Sequence, residues 1–286
     1  MNRQAVLRSI VYVVLFLFFT LLFMLLNYPS ERLTDQVNGL LLGASKGTVH
    51  VESVRFKPPL SLEMGKVLLQ VEDQRSVDMG RAVVGMRFLS FLSGKKGANL
   101  NIENPWLNSS LTIVSSGKGW DLEARWVDLD LSELPEDIMP FPLSLKGKVG
   151  VSLNLLSADA SKGVSSGAVR VTSEPIEMSG DLLETLGLAP FRITSVMAVA
   201  TVKDNILTLG ENAVEGDLGA TARGDISIAP ANFMASRLNL TVELRPGPEH
   251  RERLAPLFSL MGARPKADGS FSFKVRGTVG KPAVTM

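Results

Sequence analysis

The chain has 286 residues, a formal net charge of +1, two histidines and no cysteine. The cysteine count excludes a disulfide framework, a thiolate nucleophile and any cysteine-based zinc site. The near-neutral balance argues against a dedicated nucleic-acid surface, which needs a basic excess.

Residues 1–9 read as a short polar tail carrying Arg3 and Arg8. The run from Ile10 to Leu26 then passes without a charge. As a helix rising about 1.5 Å per residue it spans roughly 25 Å, and Ser9, Asn27 and Tyr28 at the interfaces bring it close to a bilayer's hydrocarbon thickness. No small-x-small cleavage pattern follows, and Tyr28 sits where aromatic side chains mark the membrane–water boundary. The expectation is an uncleaved single-pass anchor over 10–28. The cations at its N-terminal flank put residues 1–9 in the cytoplasm and the remainder, in a bacterium, in the periplasm.

Residues 29–46 form the connector. Ser30 to Leu42 has the pattern of an amphipathic helix, with Ser30 as N-cap, Gly43 as stop, and Leu33, Val37, Leu40 and Leu41 on one face. Such a face plugs one end of a domain or meets a partner or membrane.

From 47 to 286 the apolar period changes to two. Val49 and Val51, Leu100 and Ile102, Leu111 and Ile113, and Val149 to Leu155 alternate with polar residues, as do Val196 to Val202, Leu238 to Leu244 and Phe271 to Val275. Alternation of this kind predicts about a dozen strands with one buried and one solvated face, separated by Gly, Asn, Asp and Ser turns. Two short helices are expected, over Asp181–Leu188 with Asp181 as cap and over Glu249–Met261, where Pro256 interrupts the pattern. Pro135 to Pro142 is the expected hinge. The fold class is therefore mainly β: one N-terminal transmembrane helix, then a large, mostly antiparallel curved sheet with a few short helices.

No catalytic constellation emerges. His50 and His250 lack metal-ligand spacing, and neither a nucleophile elbow nor a phosphate loop is present. Gly94-Lys95-Lys96-Gly97 and Gly117-Lys118-Gly119 read as hairpin tips. The acidic stretch Asp128, Asp130, Glu133, Glu136 and Asp137 lacks the glycine and terminal glutamate of a calcium loop, and Glu211, Glu215 and Asp217 have no supporting glycosidase features. The expectation is a protein that is not an enzyme and has no cofactor or metal.

At the C-terminal end, Asp268 to Pro282 reads as a strand followed by Gly277-Thr278-x-x-x-Pro282. With the strand pair Leu218–Ile226 and Ser236–Leu240, and an anchor, short helix and first strand opening at Gly47-Thr48-Val49, this layout resembles the family of protein N of the bacterial type II secretion pathway, and more distantly AsmA-like proteins. The resemblance implies a non-enzymatic inner-membrane component of type II secretion, contacting other subunits through a periplasmic β domain. Its AsmA-like side implies an alternative: a lipid-binding or lipid-transfer protein of the envelope, with phospholipid held on an apolar sheet face.

Overall fold

The computed structural model describes residues 29–45, 48–58, 61–70, 76–87, 94–135, 144–185, 190–230, 232–248, 250–252, 254 and 265–285, together with 16, 20 and 23. Among them no helix is long and apolar enough to cross a membrane. The expected anchor from Ile10 to Leu26, and Tyr28, lie outside the described residues, apart from Phe16, Thr20 and Phe23, which are helical and exposed. The chain falls into two compact units, Met1–Met86 and Arg87–Met286. The break lies within the stretch expected as one β domain. Of the expected hinge only Pro135 is described.

The first unit carries helix α1 (Ser30–Ser45) and strands β1 (Val49–Lys57), β2 (Ser61–Gln70), β3 (Ser76–Asp78) and β4 (Arg81–Met86). β1 pairs antiparallel with β2, and β2 pairs with both β3 and β4. β3 and β4 are one strand broken at Met79-Gly80, where Gly80 takes a φ of 76°. Helix α1 closes the free edge of β1 with side chains. The Asn38 amide donates to Val51 O and accepts from Val51 N, and the Thr34 hydroxyl accepts from Val54 N. Val51 and Val54 are fully buried. An exposed strand edge is an aggregation hazard, and an asparagine amide, having one acceptor and two donors, substitutes for a neighbouring peptide. The helix runs through Gly43 to Ser45. Glycine at that position costs helix stability without ending the helix.

The second unit contains β5 (Lys96–Glu103), β6 (Leu107–Ser116), β7 (Gly119–Asp130), β8 (Ser144–Lys146), β9 (Lys148–Ser157), β10 (Ser166–Ser173), β11 (Ile176–Ser179), helix α2 (Asp181–Thr185), β12 (Phe191–Lys203), β13 (Ile206–Gly216), β14 (Leu218–Ser227), β15 (Arg237–Pro246), β16 (Phe271–Thr278) and β17 (Lys281–Thr285). The connectivity is an up-and-down meander. β8 and β9 act as one strand broken at Gly147, and β10 and β11 as one broken at Glu174-Pro175, because β8 pairs with β11 just as β9 pairs with β10. Gly147 takes a φ of 138°, and a Cβ there would lie 2.6 Å from the Pro175 carbonyl oxygen, so the break needs glycine. Asp204 and Asn205 both have positive φ and turn β12 into β13. This is the chemistry of a two-residue hairpin matched to strand twist.

Helix α2 begins at Asp181, but the Gly180 carbonyl accepts from Leu183 N and Glu184 N, so Asp181 is the first helical residue and not the cap. Residues 186–189 lie outside the described residues. Of the second expected helix, residues 248, 250–252 and 254 are helical, and the positions from 255 to 264 are not described. The buried cluster joins these short helices to the sheet. Leu183, Phe191, Leu254, Phe271 and Phe273 pack together, with Met178, Leu218 and Leu244 against them.

Candidate functional site

Antiparallel register fixes which residues share a face, so the eleven long strands of the second unit can be read row by row. One row runs Ala98, Ile113, Leu122, Leu155, Gly167, Val202, Leu207, Ile226, Leu238, Gly277 and Pro282. The next row on the same face runs Leu100, Leu111, Ala124, Leu153, Val169, Ala200, Leu209, Gly224, Leu240, Val275 and Val284. Neither row contains a polar side chain. The row between them, pointing to the opposite face, is Asn99, Thr112, Glu123, Asn154, Ala168, Thr201, Thr208, Asp225, Asn239, Arg276 and Ala283. Because the side-chain period of a strand is two, this contrast is what a sheet with one apolar and one wet face produces.

The apolar rows are not buried as a packed core would be. Ala124, Ala200 and Val202 are buried, but Leu100, Leu111, Leu122, Leu153, Leu155, Val169, Leu207, Leu209, Ile226, Leu238, Leu240 and Val275 are half-buried, and Ile113 and Val284 are exposed. Among the described residues, a buried cluster forms where Leu183 and Leu254 close over Phe271 and Phe273. Eleven strands about 4.8 Å apart make a strip roughly 50 Å long. Soluble monomers rarely leave an apolar patch of that extent in contact with water unless it binds something.

Polar backbone on this face is satisfied locally. Between Leu209 and Val214 the register of β13 against β14 shifts, and the Asn212 amide fills the gap, donating to Ala222 O and accepting from Ala222 N. Further shifts occur between Ser110 and Leu111, between Ala124 and Val127, and twice in β12. Bulges of this kind bend a strand and raise its twist. Asn205 plays a similar part at the rim, accepting from Val164 N and donating to Lys162 O.

An open cleft of about 540 Å³ over β7, β9, β10 and β12 belongs mainly to the wet face, through Glu123, Ser152, Asn154, Ala168, Arg170 and Val199. Ala124, Leu153 and Val169 of the second apolar row line the rest of it.

The residues singled out from the sequence are dispersed. In α1, Leu33, Val37 and Leu41 are half-buried toward β1, whereas Leu40 is 75 % exposed. Leu40 therefore falls off the face it was expected to share, because the helix meets β1 along a stripe narrower than four positions. Gly277 pairs with Pro282, Thr278 pairs with Lys281, and the Thr278 hydroxyl accepts from Lys281 N. With a φ of 100° at Gly277, this motif shapes the β16–β17 hairpin. His50 is exposed on β1. His250 is buried and tilted against Phe191 at 4.6 Å between ring centres, with its Nε2 3.9 Å from Asp217 Oδ2. Asp217 also accepts from Arg192 N, and Glu215 accepts from the Ser195 hydroxyl. The Ser132 hydroxyl holds the Asp130 carboxyl below the usual range. Among the described residues no cluster of three metal-ligating side chains forms. The apolar alternation is legible in the sequence, but its continuity across eleven strands emerges only from the register. No protein-family model, curated protein or solved structure matches this chain.

Proposed function

We propose that this chain is a non-enzymatic lipid-binding protein of the bacterial envelope, holding acyl chains against the apolar rows of its second unit. One observation carries the reading: two unbroken apolar rows cross eleven strands and stay half-buried over most of their length. Hydrocarbon laid along such a strip gains about 0.8 kcal/mol per methylene removed from water, so one acyl chain supplies ample binding energy. The proposed placement is the outer face of the inner membrane, with Ile10–Leu26 as the anchor.

A photo-reactive residue tests this in the full chain in its native membranes. Positions 208 and 209 are sequence neighbours on opposite faces of β13. The expected result is a lipid adduct from position 209 and none from position 208. Equal adducts at both, or protein adducts alone at 209, overturn the reading.

A subunit of the type II secretion machinery is the second reading. β17 favours it: all five of its residues are exposed, and it pairs with β16 alone among the described residues. Such an edge suits strand addition by another protein. Protein adducts from positions along β17, with no lipid adduct at 209, would support it.

A further inference from the structure

The two ends of the strands in the second unit differ in charge. At one end lie the β6–β7, β9–β10, β12–β13, β14–β15 and β16–β17 turns. Counting those turns and the last two residues of each strand, the described residues supply six cations, Lys96, Lys118, Lys162, Lys203, Arg237 and Lys281, against two carboxylates, Asp159 and Asp204. The opposite end, counted the same way with β8, β11 and α2, supplies six cations against eleven carboxylates. A chain with a net charge of +1 has thus separated its charge along the strand axis.

Three further features mark the basic rim. All six cations are exposed, and none makes an ion pair among the described residues. Lys203, Arg237 and Lys281 share one register row, running through Ile206, Ser227 and Thr278. Large apolar side chains stand exposed among them: Met234 at 60 %, Ile206 at 45 % and Leu156 at 44 %. Met234 is held in place there, since Gly280 N donates to its carbonyl oxygen. Cations interleaved with exposed apolar side chains suit a bilayer surface, where lysine and arginine meet headgroups and apolar side chains enter the acyl boundary. Nucleic acid and acidic protein would use the cations but leave Met234, Ile206 and Leu156 in water.

We infer that this rim docks on a bilayer rich in anionic phospholipid, bringing the neighbouring margin of the apolar face to the lipids; the inference rests on the lipid-binding reading above. Full-length protein immobilised through a C-terminal tag is exposed to vesicles of phosphatidylcholine alone or with about 30 % phosphatidylglycerol. The expected result is a preference for the anionic vesicles that weakens as salt rises. The triple variant Lys162→Glu, Lys203→Glu, Lys281→Glu should bind them at least about a hundredfold more weakly, because three lysine–headgroup attractions are lost. The corresponding Lys→Arg triple should keep parental binding. Equal binding to both vesicle types, or full binding by the Glu variant, overturns the inference, as does tight binding of a DNA oligonucleotide without vesicle binding. Lipid adducts at position 209 alongside such a failure would leave the lipid-binding reading intact. Anionic-vesicle preference without those adducts would remove that reading and keep the rim.

Discussion

Phe271 and Leu153 lie on the same face of the same sheet, yet one is sealed and the other is not. Phe271 is 1 % exposed beneath Leu183 and Leu254, while Leu153 is half-buried by its neighbours in the sheet. The difference teaches that an apolar face and a hydrophobic core are separate things. The rows supply apolar surface throughout, and among the described residues the short helical segments at one end convert part of it into a core. Removing the Phe271 ring should therefore cost about 3–5 kcal/mol, as for a sealed aromatic, whereas Leu153→Ala should cost about 1 kcal/mol. Urea unfolding of both variants measures the gap. Equal losses would mean that Leu153 is covered as fully as Phe271, and the comparison would break.

Much of the fold was legible in the sequence because strand alternation is a local signal. The paired strands around Ile226 and Leu238 and the mainly antiparallel β class follow from period-two patterns and turn residues. What the sequence hides is set at long range. Val275 and Phe273 occupy equivalent places in one alternating segment, but a helical turn far along the chain seals Phe273 and leaves Val275 half-buried. Continuity of the rows is also nonlocal, since it depends on the register of ten successive pairings. Leu40 shows the reverse failure: its helical spacing is ideal, but β1 meets a narrower stripe. The asparagines carried no signal at all, because an amide that replaces a strand is recognised only by the peptide it faces.

Asn212 sharpens the comparison at a smaller scale. Its amide is the partner of Ala222 N and Ala222 O where the β13–β14 ladder shifts. Under a cover, truncation to alanine would strand both groups at about 1–3 kcal/mol each. On an open face water reaches them, and Asn212→Ala should cost about 1 kcal/mol in total. Amide exchange at Ala222 should accelerate while exchange at Phe273 stays slow. Slowed or unchanged exchange at Ala222 would place that stretch out of reach of water.

The smallest effect concerns acid. Two carboxylates border the sealed end: Glu243, which faces Ser272 across the β15–β16 ladder, and Asp268, whose side chain accepts from the backbone and hydroxyl of Ser270 beside Phe271. The Lys266 ammonium, hydrogen-bonded to Glu243 at 2.7 Å, holds that carboxyl below its ordinary value, and the Ser270 hydroxyl does the same for Asp268. A carboxyl more acidic in the folded than in the unfolded chain contributes stability above its unfolded value, and that contribution is lost as the pH falls through the folded one. Solvent screens both groups, so the contribution is small. The double variant Glu243→Gln, Asp268→Asn should melt slightly below the parent at about pH 6, and the gap should shrink as the pH falls below the ordinary carboxylate range of about 4. A gap that persists in acid would assign the loss to packing around Ser270, and would detach the sealed end from any control by charge.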